Sequence, residues 1–234
     1  MWDALGGTFA LAMALTLSPL SITAVLVLGL GARGTLRALL FSVGWFISMF
    51  AITFITALVT GTAVEEDPEG TSGGIDILHL VFGVLFFILA YITWRRRPSA
   101  KSEVEHAAVG EEKEKNGLFA RIDNLGLASC VAVGFAMGLL IIKNPPLAIS
   151  AGVQLGSVPD ITTGQTVIVV LIFAALATIA PLALLGFMAI GGPKVRGSLQ
   201  NGRTWIEANM TAVTLAILLI VGTIFLGEGL AIID

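Results

Sequence analysis

Only one cysteine, Cys130, occurs in the 234 residues, so no internal disulfide can form and a thiol-relay membrane reductase is not expected. Histidine is nearly as scarce: His79 and His106 have no ligand-like spacing, and no metal site built on His and Cys is expected. Charged residues make up 12% of the chain, against roughly 25% in a soluble domain. No basic face exists outside the loops that flank apolar segments, so nucleic acid is not an expected partner. No ATP-binding motif is present, so work would draw on an ion gradient, a downhill lipid gradient or a partner. The stretch GLGARG (29–34) matches G-x-G-x-x-G but follows an apolar helix rather than a strand, so no dinucleotide site is inferred and no cofactor is expected. The start MWDALGG lacks the positive region of a signal peptide, and the first apolar run reads as a retained membrane helix.

What the chain does have is apolar length. Hydrophobic residues make up 56% of it, and the mean hydropathy is +0.94. A membrane span takes about 20 mostly apolar residues. Six segments qualify: 7–30, 37–63, 75–94, 124–156, 166–191 and 207–231. The polar stretches 65–74, 95–117 and 191–203 read as connections, the first a turn with Pro and Gly. Twelve of the thirteen Lys and Arg residues fall between spans 1 and 2, 3 and 4, or 5 and 6. The positive-inside rule places those loops in the cytoplasm and both termini outside. The thirteenth, Lys143, lies within span 4.

PLSITAVLVLG (19–29) and PLAISAGVQLG (146–156) share six of eleven positions at an offset of 127 residues. Each copy then heads a half of three spans, and an odd number of spans inverts the second half. The expected fold class is an all-α membrane protein of six transmembrane helices, arranged as two inverted three-helix repeats. Residues 1–94 form the first repeat, 95–121 a cytoplasmic charged linker and 122–234 the second repeat. Inverted repeats are typical of secondary transporters, whose sites lie near the midplane on interrupted helices.

Proline supplies the interruptions, because it lacks a backbone donor and clashes with the preceding turn. Ser18-Pro19 falls inside span 1 and Asn144-Pro145-Pro146 inside span 4. Serine and asparagine are good N-caps, and proline suits the first helical position. Helices 1 and 4 are thus expected to break there, with two half-helix N-termini facing the midplane. Such ends carry partial positive charge, and Lys143 adds a full one. A buried lysine costs about 2.5–3.5 kcal/mol on insertion scales. An anionic group, phosphate, sulfate or carboxylate, would offset that cost.

The candidate substrate-binding residues are therefore Thr16, Ser18, Pro19, Ser21, Lys143, Asn144, Pro145, Pro146, Ser150 and Gln154. Thr16 aligns with Lys143 at the repeat offset. Ser21 and Ser150 either face a cavity or bond their own helix backbone. Gln154 stands where the first repeat has Val27, lining a path or sitting at the interface. Asp76 and His79 open span 3 as a solvated helix start or, alternatively, a proton-coupling pair. Pro181 has no counterpart in span 2 and reads as a kink. GFAMG (134–138) and GVQLG (152–156) match G-x-x-x-G and are expected to pack helices closely, within the chain or between copies.

The stretches LSPLSITAVLVL (17–28), GARGTLRALLFSVGW (31–45) and KNPPLAISAGVQL (143–155) resemble the LysE superfamily of small membrane exporters. Within it the chain is most similar to the GAP/Sap-like group, lipid-addressing proteins of actinobacterial envelopes. The resemblance spans essentially the whole chain. It implies a transporter or flippase in the bacterial plasma membrane, exporting an anionic or glycosylated envelope lipid from the inner leaflet. Two other readings stay open: an exporter of a small soluble anion or amino acid, and an accessory subunit of an envelope-lipid synthesis or export complex. The expected partners are a membrane lipid and either a second copy of the chain or an envelope-lipid biosynthetic complex. With no nucleophile–base pair or carboxylate dyad at membrane depth, an enzyme is not expected.

Overall fold

The computed structural model describes residues 2–30, 33–66, 68–95, 126–141, 143–191 and 193–230. The elements among them are all helices: α1 (Trp2–Thr16), α2 (Pro19–Leu30), α3 (Gly34–Glu66), α4 (Pro68–Arg95), α5 (Leu127–Leu140), α6 (Asn144–Gly156), α7 (Thr163–Ala177), α8 (Ile179–Ile190), α9 (Pro193–Ala208) and α10 (Met210–Gly229). Beyond Arg95, the charged linker expected at 95–121 lies outside the described residues.

Two stretches among them are long and apolar enough to cross a membrane unbroken, Gly34–Thr62 and Met210–Gly227. Three bent pairs reach that length together: Thr8–Thr16 with Pro19–Leu30 at 47°, Leu127–Leu140 with Asn144–Gly156 at 76°, and Thr163–Ala177 with Ile179–Ile190 at 55°. The apolar part of α4, His79–Arg95, is shorter. Large apolar side chains such as Val59, Val81, Ile88, Ile190 and Ile220 are exposed along these helices. An outer surface this apolar needs lipid against it, and the chain is a membrane protein.

Each bend has a local chemical cause. α1 stops at Thr16 and α2 restarts at Pro19, whose ring disfavours a helical Ser18. α5 ends where Ile141 turns to extended backbone (ψ 109°), and α6 begins with Asn144 ahead of two prolines. α7 and α8 part at Thr178, three residues before Pro181. The continuous α3 has no such break, so the expected kink at Pro181 belongs to the second half alone.

Two expected connections are helical instead. The turn placed at 65–74 is absorbed by α3, which runs to Glu66, and by α4, which starts at Pro68. Proline fits the first helical position. The connection placed at 191–203 is mostly α9. Its partly buried Val195, Leu199 and Ile206 share one face and pack toward α2, while Ser198, Gln200, Asn201 and Thr204 are exposed. This stripe is thin among polar residues, and average hydropathy hides it.

The helices pair across the halves of the chain. α3 packs most closely on α5 and α6, α4 on α10, and α1 on α7 and α6, while α2 touches α8 as well as α3. Glycines make the α3 contacts possible. A Cβ on Gly134 would meet the Phe41 carbonyl, one on Gly44 the Val131 carbonyl, and one on Gly152 the backbone of Thr53. Both G-x-x-x-G motifs therefore pack within the chain, against α3. The α3 face beneath them buries Phe41, Trp45 and Met49 completely. A second seam joins α4 and α10, where Phe82 and Phe86 pack on Phe225 with ring centroids 5.9 and 5.5 Å away.

Candidate functional site

The two proline-broken spans meet at their breaks. Lys143 is the N-cap of α6, in helical backbone geometry, and its side chain caps nothing there. Instead its Nζ donates to the Ala14 carbonyl at 3.0 Å. Ala14 sits in the last turn of α1, where the break at Ser18-Pro19 leaves carbonyls without their usual helical donors. A cation is favoured at such a helix C-terminus. Lys143 is buried, 6% exposed, and Ala14 is its one protein acceptor among the described residues. An ammonium carries three donors, so two remain for a ligand or water.

The N-terminus of α6 is a poorer anion cradle than the sequence implies. Asn144 is its first helical residue, not its cap. The Asn144 N–H is spent on the Ile141 carbonyl at 2.8 Å, and Pro145 and Pro146 have no N–H to offer. Positive charge at this break thus comes from the Lys143 ammonium, not from the helix end. The Asn144 amide lies 3.5 Å from the Met137 carbonyl, while its Oδ1 is buried without a partner.

The first break is arranged differently. Thr16 ends α1, and its hydroxyl donates to Ala12 O at 3.0 Å and to Leu176 O across the interface with α7. Leu176 stands at the bend between α7 and α8, so the hydroxyl joins two broken spans. Pro19 occupies the first position of α2 as expected. The Ser18 carbonyl accepts from Ile22 N at 3.0 Å and from Ser21 Oγ at 2.9 Å, so Ser21 bonds its own helix. The Ser18 hydroxyl does not act as the expected cap; it is buried with no partner. Thr23 and Ser48 hydroxyls share that condition. Buried polar atoms without partners are uncommon in folded proteins, and several lie on helices that meet at the breaks.

Ser150 and Gln154 belong elsewhere. Two and three turns along α6 from the break, they face His79 of α4, with Ser150 Oγ at 3.5 Å and Gln154 Nε2 at 3.4 Å from His79 Nε2. His79 is 5% exposed and its ring lies 5.5 Å from that of Phe225 on α10. The solvated helix start expected at His79 is instead a buried junction of three helices. The sequence signal was only the lone histidine in an apolar run; its partners are 71 and 75 residues away.

Beside α1 lies a cavity of about 370 Å³, lined by Gly6, Thr8, Phe9, Ala12, Ile172, Phe173 and Leu176. It is apolar apart from Thr8, and Phe9 and Ile172 on its rim are exposed on the outer surface. It reaches Leu176, whose carbonyl receives Thr16 at the first break. No group of three or more His, Cys, Asp or Glu residues suited to a metal ion occurs among the described residues.

Broken apolar helices that meet at buried polar breaks, with a buried lysine between them, define a helical membrane protein with an internal polar site. The family described as Sap, sulfolipid-1-addressing protein, matches residues 9–231, and the chain belongs to that family. No curated protein and no solved structure matches the chain.

Proposed function

We propose that the chain is a transporter that moves an anionic or glycosylated envelope lipid out of the inner leaflet of a bacterial plasma membrane. The observation that carries this reading is the crossing of the two broken spans, where the Lys143 ammonium and the Ala14 carbonyl meet. The ammonium keeps two donors for a sulfate, phosphate or carboxylate headgroup. The unpartnered Ser18 and Asn144 oxygens accept from headgroup hydroxyls. The α1–α7 cavity, apolar and rimmed by surface side chains, suits an acyl chain better than a soluble anion or amino acid. Membership in the Sap family supports a lipid and makes a sulfated glycolipid the first substrate to try.

The architecture proposed is LysE-like: six spans, both termini outside, in two inverted repeats. The helix pairings support it. Exchanging the halves turns α3 on α5 and α6 into α7 and α8 on α1 and α2, and leaves α4 on α10 unchanged. The moving bodies are then not the repeats themselves. α3 travels with α5 and α6, because glycine contacts at backbone distance cannot slide without a clash.

The test is leaflet exchange in proteoliposomes of labelled sulfated glycolipid, an anionic phospholipid and a zwitterionic one. Exchange that prefers the anionic lipids, and loses the preference in Lys143→Ala, supports the reading. Exchange blind to charge in both proteins removes Lys143 from recognition. No exchange of any lipid by folded protein turns the reading toward an accessory role in a synthesis or export complex.

A further inference from the structure

The junction at His79 is not used by lipid recognition as proposed above. An ionisable side chain inside an apolar bundle is expensive and is by default a functional group. Imidazole is also the side chain that ordinarily changes charge between pH 5 and 8. Here it touches α6, the half-helix that carries Lys143 at its other end. Lys143 and Ser150 are seven residues apart, roughly 10 Å along a helix at 1.5 Å per residue. Whatever moves α6 at His79 therefore moves the lysine at the break.

We propose that His79 is the proton-binding site that couples lipid export to a proton gradient, acting through Ser150 and Gln154 on α6. This rests on the transport reading. With Nε2 bare, the neutral ring accepts from the Ser150 hydroxyl or the Gln154 amide. On protonation both ring nitrogens become donors. The Gln154 NH2 then faces another donor, so the amide must turn its oxygen inward or α6 must shift away. Ser150 can accept in its place. One proton bound on the outer side and released inside, as one lipid moves outward, closes the cycle.

The ionisable residues on the helices that pack at this junction are placed by the sequence. On α4, Asp76 stands one turn before His79; on α10, Glu228 stands one turn beyond Phe225; α3 carries Glu65 and Glu66 at its end. On α6 the sole ionisable residue is Lys143, at the far end of the helix. A purely structural histidine would hold α4 and α10 to α6 without any response to pH, which the following experiment separates.

Proteoliposomes holding wild type, His79→Gln and Gln154→Leu would be loaded with labelled sulfated glycolipid. The steady leaflet ratio would be read with no pH gradient and with one unit imposed. One proton per lipid supports a change of about tenfold per pH unit. The expected result is a gradient-dependent ratio in wild type and none in His79→Gln, whatever that variant's rate without a gradient. A His79→Gln protein that keeps the dependence, or a wild type that lacks it, overturns the proposal. If wild type moves no lipid, the transport reading fails, and imidazole nitrogen NMR decides the proton site alone. In a His106→Gln background His79 is the only histidine. A ring-nitrogen signal that changes with pH, and changes differently in Gln154→Leu, supports the site; one that is independent of pH overturns it.

Discussion

Lys143 reaches across 129 residues of sequence to place its ammonium on the carbonyl of Ala14, so the break in one span supplies a donor to the break in the other. The contact explains how a lysine is held so deep in an apolar bundle. It also sets the first expectation.

Replacing Lys143 by methionine removes a charge-assisted hydrogen bond worth about 1.5–3 kcal/mol. It also removes the burial cost of the charge, about 2.5–3.5 kcal/mol. The two nearly cancel, so Lys143→Met should fold with a thermal midpoint close to wild type while losing its preference for anionic lipid. A large loss of stability would show that the lysine is a structural strut, not a recognition group.

Thr16→Val deletes the hydroxyl that ties α1 to Leu176 at the bend of α7 and α8. The expected loss is about 1 kcal/mol, or about 2–4 °C in midpoint for a chain of this size. Thr16→Ser should restore most of it. Thermal unfolding in detergent, followed by circular dichroism, measures both.

Gly134 presses on the Phe41 carbonyl, and Gly186 has open space around its Cα. Gly134→Val should cost at least about 1–3 kcal/mol by overpacking and open the seam between α3 and α5. Gly186→Ala should be neutral or slightly stabilising, since alanine is the better helix former. Equal effects of the two changes would contradict the close approach of α3 and α5.

Trp205 on α9 is 61% exposed beside the buried-side stripe of Val195, Leu199 and Ile206. An amphipathic helix with an aromatic side chain exposed near its apolar face is expected to lie along the membrane interface. With Trp2, Trp45 and Trp94 changed to phenylalanine, Trp205 fluorescence should be quenched by lipids brominated near the headgroup more than by lipids brominated deep in the tail. The reverse order would move α9 into the bilayer core.

The breaks were legible in the sequence because proline acts locally. Pro19 and Asn144-Pro145-Pro146 end helices by missing donors and ring clashes, whatever surrounds them. The partners of the polar residues were not. Nothing near Lys143 in the chain announces Ala14, and nothing near His79 announces Ser150 and Gln154; these meetings exist only once helices from opposite halves pack. The N-terminal positive charge expected at α6 failed for a local reason that the residues did contain. Two prolines and an occupied Asn144 N–H leave that helix end with little to donate. α9 is not legible in the sequence because its charged residues and glycines outweigh three apolar residues on one face.

The pairing of α3 with α5 and α6, and of α4 with α10, also governs how the protein is made. When the first half leaves the ribosome, the glycine-matched face of α3 and the Phe82–Phe86 face of α4 have no counterpart yet. They must wait in the bilayer for some 30 residues of connecting chain and then for the second half. α10, by settling on α4, then covers the Phe82–Phe86 face.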